Sequence, residues 1–317
     1  MTEPARLLVV GGSGFVGGRV VQAAARAGYQ VAYTYAHHPL ALPGTAHRVA
    51  FDAADDAPAQ AVAAARPQVV IYTAIAPTAG SAELQHQVNV EGVRQTLRAL
   101  RQVAPAARFI YISSNAVFGG GRGLYREIER PDPAARHDPL RTYALTKAAG
   151  EQAALEGWTN TIVARTSVVD GYDAQGRLSA RVAALVAQLQ AGRPLARFAD
   201  RYLSPTLVDN LVAALLEISV PTFLYRGILH LAGPERVTDY TYALALARRL
   251  GVSTALVRPE PLAGHPTMAA SARDTSLDVT FTQRLLQTHL LDVEEQLTRL
   301  FPDVPSGAES PGGWHGY

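Results

Sequence analysis

The sequence predicts an α/β protein in which a doubly wound parallel sheet is joined to a smaller, mostly helical C-terminal lobe. In the first half of the chain, short apolar runs alternate with helical patterns, as in parallel sheets with right-handed crossovers. A glycine-rich turn follows the first apolar run and opens the first helical pattern. After Arg165 the rhythm changes and helical patterns dominate. We therefore expect the second half to lie across the carboxyl edge of the sheet.

The apolar runs and helical patterns define the elements one by one. Strands are predicted at residues 6–10, 30–34, 47–50, 69–73, 108–113 and 161–165, and helices at 14–28, 81–103 and 142–155. Beyond Arg165 we predict helices at 178–191, 208–218, 238–250 and 293–301, with one further strand at 228–231. This order predicts a nucleotide-binding domain at 1–165, to which 203–233 add a helix and a strand. The substrate lobe is then 166–202 with 234–304, and 305–317 form a tail.

Composition excludes several classes of function. The chain has 317 residues, of which 48% are hydrophobic and 18% charged, and its formal net charge is +2. No like charges cluster, so we expect neither a nucleic-acid partner nor a membrane surface. The absence of cysteine excludes disulfides and thiolate metal sites, and we predict no metal. With no signal sequence and no apolar run long enough to span a membrane, we expect a cytoplasmic protein.

The glycine-rich turn has the pattern of a dinucleotide-binding loop. It lies between a strand and a helix, the geometry that points backbone amides and the positive end of the helix dipole at a pyrophosphate. That context predicts a Rossmann-like fold, because a glycine pattern alone is weak evidence. The residues predicted to bind the cofactor here are Gly11, Gly12, Ser13, Gly14, Phe15, Val16 and Gly17.

The second strand indicates which nicotinamide cofactor is preferred. NAD-specific units place an acid at the end of this strand, but here no acid occurs between Glu3 and Asp52. We therefore predict that NADP(H) is preferred and that NAD(H) remains possible. Tyr35 is predicted to contact the cofactor, and the 2′-phosphate could be reached by Arg19, His37 or His38. Asp52 either meets the adenine or caps the turn that follows it.

Tyr143 and Lys147 are four residues apart on a predicted helix, so their side chains share one face. Lys147 is the one lysine among 29 lysine and arginine residues, which suggests a role that arginine cannot fill. An ammonium beside a phenol lowers the pKa of the phenol toward neutrality. The same ammonium can also bind the nicotinamide ribose hydroxyls. We predict that both residues are catalytic and contact the cofactor.

With these motifs, the chain resembles the extended short-chain dehydrogenases/reductases. Their catalytic Ser or Thr stands at a fixed offset before a turn like Val117-Phe118-Gly119, which selects Ser114 over Ser113. The resemblance implies that the Ser114 hydroxyl binds the substrate carbonyl while Tyr143 delivers a proton and the nicotinamide a hydride. It also implies that Ala74, Ile75, Ala76 and Ser167 line the cofactor.

Three further sequence motifs, at residues 165–167, 227–235 and 274–278, resemble those of the dTDP-4-dehydrorhamnose reductase group. That group reduces the keto group of a nucleotide-linked 4-keto-6-deoxy sugar. The chain departs from its pattern at Ala76-Pro77, at Val168 and at Ser114-Asn115, where the group tends to have Tyr-Thr, Trp and Thr-Asp. Asn115 and Val168 are therefore predicted to face the substrate. The resemblance thus implies the type of reaction more strongly than it implies the substrate. Because a dehydratase needs an acidic pair after the catalytic residue, Asn115-Ala116 argue against dehydration.

Alternatives remain open. An epimerase of this fold would use the same Ser114, Tyr143 and Lys147. A non-catalytic regulatory subunit, like that of methionine adenosyltransferase, would bind the cofactor without turnover. Asn89 matches a sequence motif of the resembled family, but it could equally be a residue that packs between helices.

Two further expectations concern the substrate and the assembly. Arg201 and Arg273 are candidates to hold a diphosphate, with Arg201 favoured because a helix starts near Val208. Extended reductases often form homodimers through the helices predicted here at 81–103 and 142–155.

Overall fold

The computed structural model describes residues 4–36, 38–40, 47–50 and 57–302 of the chain. Strands and helices alternate through its first half. They are β1 (Arg6–Val10), α1 (Phe15–Arg26), β2 (Gln30–Tyr35), β3 (His47–Ala50), α2 (Ala57–Ala65), β4 (Val69–Tyr72), α3 (Ala82–His86), α4 (Gly92–Val103), β5 (Arg108–Ser114), α5 (Arg141–Gly157) and β6 (Thr161–Thr166). A π-helical turn, Gln87–Glu91, joins α3 to α4, so the long helix predicted at 81–103 is one helical stretch with a π turn inside it.

The second half contains more strands than predicted. Its elements are β7 (Val169–Asp170), α6 (Ala180–Gln190), β8 (Leu195–Phe198), β9 (Tyr202–Leu203), β10 (Thr206–Leu207), α7 (Val208–Glu217), β11 (Gly227–His230), β12 (Val237–Thr238), α8 (Asp239–Arg249), β13 (Val257–Glu260), α9 (Thr280–Leu285) and α10 (Val293–Leu300). The strand predicted at 228–231 is β11. The expectation of one strand alone in this half was wrong, because β7 pairs with β10, β8 with β13 and β9 with β12. Most of these strands have two residues, too few to show an alternating pattern.

The main sheet confirms the predicted fold class. Its seven strands are all parallel, in the order β11-β6-β5-β4-β1-β2-β3. The chain adds strands outward from β1 in one direction and then from β4 in the other. In such a sheet a crevice opens at the carboxyl ends of the two strands where the order reverses. The topology therefore places a ligand crevice beyond β1 and β4.

Helices cover both faces of the sheet, as β1 shows. Leu7 and Val9 point into one core, together with residues of α1 and α7, whereas Leu8 and Val10 point into the other core, together with residues of α2 and α4. All four side chains are buried. Because both faces are covered, the strand is continuously apolar rather than alternating.

The second half contributes to both lobes. Strand β11 extends the main sheet beside β6, and α7 packs on α1. Helices α6, α8 and α10 enclose a separate apolar core with β8 and β13. The division into a nucleotide-binding domain and a substrate lobe at the bounds given above remains a proposal. Within the ranges that the structure describes, no helix has both the length and the hydrophobicity needed to cross a membrane.

Helix α5 approaches the sheet and the π-helical turn very closely. A Cβ atom on Gly150 would overlap the Tyr111 hydroxyl and the backbone oxygen of Asn89. The amide of Asn89 also donates to Thr146 Oγ1 at 3.0 Å, and its backbone oxygen accepts from the Tyr111 hydroxyl at 3.3 Å. Asn89, which the sequence left open, is thus buried in the helix contact and ties the π-helical turn to α5.

Replacing Gly150 with alanine should destabilise the fold. The added methyl group has no space beside a backbone oxygen, and overpacking of this kind costs about 1–3 kcal/mol. Chemical denaturation of Gly150→Ala should show that loss. Gly121→Ala is the matched control, because nothing lies within 4 Å of its added Cβ atom. Equal stability of Gly150→Ala and the wild type would contradict the close packing of α5.

Candidate active site

A cleft of about 670 Å³ opens where the topology places it, at the carboxyl ends of the central strands. Most of the residues predicted to bind cofactor or to act in catalysis line it. These are Gly11, Ser13, Gly14, Phe15, Val16, Gly17, Tyr35, Ala74, Ile75, Ala76, Ser114, Tyr143 and Ser167. The cleft is also lined by Thr34 and Thr73, which the sequence analysis missed.

The glycine loop packs closely on the segment that follows β4. Gly11 has a φ of +83°, and a Cβ atom there would lie 2.6 Å from the backbone of Ala74, so this position requires glycine. Thr34 and Thr73 hold the loop: the Thr34 hydroxyl accepts from the Gly11 amide at 2.8 Å, and the Thr73 hydroxyl donates to the Gly11 carbonyl at 3.1 Å. The strands predicted at 30–34 and 69–73 end at these two threonines, which was the available sequence signal.

Helix α1 begins directly under this loop, and its first amides face the cleft without a side-chain cap. No acidic residue stands in its first turn, so the positive end of the dipole is not neutralised there. Gly12 does not line the cleft. Its added Cβ atom would lie 2.5 Å from Tyr33 Cβ, so Gly12 instead lets the turn pack on β2.

Arg19 and His38, both expected near a 2′-phosphate, lie in different surroundings. Arg19 does not reach the cleft lining, because its guanidinium pairs with Asp209 on α7 (Nε–Oδ1 2.9 Å) and bonds to Gln22. His38 is exposed. His37 and Asp52 lie outside the described residues.

Ser114 and Tyr143 meet at the edge of the cleft. Ser114 ends β5, and its hydroxyl accepts from the Ala116 amide at 3.1 Å and lies 3.3 Å from Asn115 Oδ1. Tyr143 lines the same cleft from α5 and hydrogen-bonds to Ser114. This arrangement brings a hydroxyl and a phenol to one point, where both could bind a carbonyl oxygen.

Lys147 lies one helical turn beneath Tyr143 and is only 1% exposed. Its Nζ donates to the backbone oxygen of Ile112 at 2.5 Å and sits 4.0 Å from the centre of the Tyr111 ring. Burial lowers the pKa of Lys147 to about 7, although the charge of Glu151 raises it. Lys147 therefore titrates much closer to neutral pH than an exposed lysine does.

The expectation that the pKa of Tyr143 is lowered toward neutrality was wrong. Burial raises the pKa of Tyr143, and the hydrogen bond with Ser114 opposes this effect only in part. Tyr143 is consequently a protonated phenol at neutral pH.

The residues predicted to face substrate are largely engaged within the protein. The Asn115 amide donates to Ser167 Oγ at 3.1 Å and to Thr275 Oγ1 at 2.8 Å, so its donors already have partners. Val168 is half-buried, and its backbone oxygen accepts from the Thr206 amide at 2.9 Å. Asn115 thus joins the end of β5 to the segment before α9.

The two candidate arginines each face a carboxylate. Arg201 Nη1 lies 3.5 Å from Asp239 Oδ2, and the exposed Arg273 lies 4.0 Å from Asp200. The helix predicted near Val208 is α7, which begins at that residue. The helix beside Arg201 is α8, whose Asp239 amide donates to the Arg201 carbonyl at 3.3 Å. Among the described residues no cluster of histidine and acidic side chains could hold a metal ion.

Comparison with known proteins agrees with this geometry. The family model described as RmlD substrate binding domain matches residues 5–305. The dTDP-4-dehydrorhamnose reductase of Mycobacterium tuberculosis (strain CDC 1551 / Oshkosh) is 29% identical over 280 residues, covering 86% of this chain and 84% of that protein. Methionine adenosyltransferase 2 subunit beta of Xenopus laevis is 30% identical over 169 residues, covering 50% of this chain and 48% of that protein.

A solved structure shows the same fold. The dTDP-4-dehydrorhamnose reductase from Bacillus anthracis str. Ames, in complex with NADP, aligns with a TM-score of 0.76 at 22% identity and covers 94% of this chain and 99% of that chain. The family match extends over nearly the whole described chain and includes the glycine loop, Ser114, Tyr143 and Lys147. The chain therefore belongs to the RmlD substrate binding domain family, within the extended short-chain dehydrogenases/reductases.

Proposed function

We propose that this protein is an NAD(P)H-dependent carbonyl reductase that reduces the keto group of a nucleotide-linked 4-keto-6-deoxy sugar. The observation that carries the proposal is the meeting of Ser114 and Tyr143 at the cleft that the glycine loop also lines. The name of the Mycobacterium tuberculosis relative, a dTDP-4-dehydrorhamnose reductase, supports the substrate class.

A nicotinamide dinucleotide suits the residues of the cleft. Gly11 and Gly17 let the loop pack tightly on Ala74 and on itself, and the uncapped start of α1 offers amides to a pyrophosphate. When bound, the reduced nicotinamide supplies a hydride to the carbonyl carbon. The residues that would hold it are the loop residues 11–17 together with Tyr35, Ala74, Ile75, Ala76 and Ser167.

Ser114 and Tyr143 supply the rest of the reduction. The Ser114 hydroxyl donates a hydrogen bond to the carbonyl oxygen, and the Tyr143 phenol then transfers its proton to that oxygen. A raised pKa suits this direction, because a reductase needs the protonated phenol as its donor. Lys147 stabilises the phenolate that remains and, with a pKa of about 7, can take part in returning a proton to it.

The assembly and the substrate arginines remain proposals. A cytoplasmic homodimer that pairs through α4 and α5 would cover Leu145 and Leu155, which are exposed on α5. The outer face of α4 carries Arg94, Arg98 and Arg101, so such a contact must keep these like charges apart. Arg201 and Arg273 would have to leave Asp239 and Asp200 to bind a diphosphate.

The proposed activity is tested with NADPH and dTDP-4-dehydrorhamnose. We expect sugar-dependent loss of the NADPH absorbance, together with an equal amount of reduced sugar by mass spectrometry. An isomerised sugar without net consumption of NADPH would indicate the epimerase instead. Tight NADPH binding without any conversion of the sugar would indicate a non-catalytic regulatory subunit; the Xenopus laevis relative is named as a subunit of methionine adenosyltransferase.

NADPH should bind at least as tightly as NADH. The sequence has no acid between Glu3 and Asp52 that could bind the ribose hydroxyls and repel a 2′-phosphate. Titration of nucleotide fluorescence with the protein gives both dissociation constants. A clear preference for NADH would mean that an acid from another segment reaches the ribose.

Two substitutions test the catalytic residues. Tyr143→Phe should lower turnover by about 10²–10⁴-fold while leaving NADPH binding intact, because only the phenolic proton is lost. Lys147→Arg should also lower turnover, since the larger guanidinium does not fit beneath Tyr143 and stays charged. The control is Arg141→Lys, an exchange at an exposed position of the same helix. Wild-type turnover by Lys147→Arg would overturn the role given to Lys147.

A further inference from the structure

Three charged side chains lie buried in a row behind the active site. Lys147 and Glu151 stand one turn apart on α5 and are 1% and 2% exposed. Arg165 lies opposite them on β6 and is fully buried. The reaction described above uses Lys147 alone, so the other two charges have no role in it.

Arg165 holds Glu151 by a two-point ion pair. Its Nε donates to Glu151 Oε1 at 2.9 Å and its Nη2 to Oε2 at 2.8 Å. Arg165 is itself fixed, with its guanidinium 5.0 Å from the centre of the Phe118 ring. A bidentate pair of this kind keeps the carboxylate ionised and in a single orientation. Both Glu151 oxygens therefore point at Arg165.

The charges in this row do not cancel in pairs. Two buried cations, Lys147 and Arg165, share one carboxylate, and burial without compensation drives an amine to its neutral form. The Nζ of Lys147 bonds to the Ile112 carbonyl and lies over the Tyr111 ring, neither of which is an anion. The attraction that opposes deprotonation of Lys147 comes from the charge of Glu151.

The titratable groups around this row are neutral. Burial raises the pKa of each neighbouring tyrosine, and burial with the charge of Arg165 lowers the pKa of the histidine to about 3. These groups are Tyr143 on α5, Tyr111 on β5, Tyr72 on β4 and His230 on β11. In the part of the chain that the structure describes, Glu151 is thus the carboxylate whose charge acts on Lys147.

We propose that Glu151 and Arg165 are positioning residues for Lys147: Glu151 keeps Lys147 in the ammonium form, and Arg165 prevents Glu151 from drawing it into a direct ion pair. Such a pair would pull the ammonium along α5, away from Ile112 and Tyr143. This inference rests on the proposed function for its purpose, since a charged and correctly placed Lys147 is what the proton transfer requires.

The single lysine of the chain makes a direct test possible. Full-length protein grown with lysine carrying ¹³C at the ε position gives one side-chain signal, and its pH titration reports the pKa of Lys147 without any activity. Glu151→Gln should lower the midpoint by roughly one pH unit or more, because an opposite charge is lost. Arg165→Met should raise it, because a like charge is lost and Glu151 becomes free to approach. Glu156→Gln, at an exposed position of the same helix, should leave it unchanged.

A general loosening of the fold cannot imitate the result for Glu151→Gln. Exposure to solvent would raise the pKa of Lys147 toward the usual value of about 10.4 in every variant. Should Glu151→Gln fail to fold because Arg165 is left unpaired, Arg165→Met is compared with the double variant Arg165→Met/Glu151→Gln. The second substitution should lower the midpoint in that background. An unchanged or raised midpoint on removal of the carboxylate overturns the proposal.

Failure of this inference is separable from failure of the proposed function. If the titration shifts as expected but no sugar is reduced, the positioning of Lys147 by Glu151 and Arg165 stands and the reductase assignment falls. If sugar is reduced and the midpoint does not move, the reverse holds. Glu151→Asp, which retains the charge, should keep the midpoint nearer to the wild type than Glu151→Gln does.

Discussion

The contact of α5 with strands β5 and β6 is the constraint on which the active site depends. Gly150 allows the helix to approach until its backbone meets Tyr111 and Asn89. Lys147 then bonds to the β5 carbonyl of Ile112, and Glu151 pairs with Arg165 on β6. These contacts fix both the height and the rotation of the helix. Tyr143, one turn before Lys147, is thereby placed beside Ser114 at the end of β5.

Burial has opposite effects on the two titratable groups of this helix. It raises the pKa of Tyr143, which stays a proton donor at neutral pH, and lowers that of Lys147 to about 7, where the amine can both hold and release a proton. Environments that push two pKa values in different directions separate the roles of two groups. Tyr143 is thus protonated before the reaction begins, which suits reduction of a carbonyl.

Local sequence predicted the parts of the site that lie close together in the chain. The glycine loop and the spacing of Tyr143 and Lys147 follow from one turn and one helix face. Contacts between distant segments could not be predicted: Asp209 pairs with Arg19 across 190 positions, and Asp239 lies beside Arg201. The direction of the Tyr143 pKa was missed for the same reason, because it depends on burial by the whole fold. The short strand pairs of the second half likewise arise from long-range contacts.

The central claim is that Tyr143 and Ser114 present a carbonyl to the hydride of a bound nicotinamide. The most direct measurement uses NADPH that carries deuterium at the transferable position of nicotinamide C4, incubated with the protein and dTDP-4-dehydrorhamnose. The account predicts a reduced sugar with deuterium on its former carbonyl carbon, and no labelled sugar from Tyr143→Phe over the same time. A reduced product without deuterium, or equal labelling by the wild type and Tyr143→Phe, would contradict it.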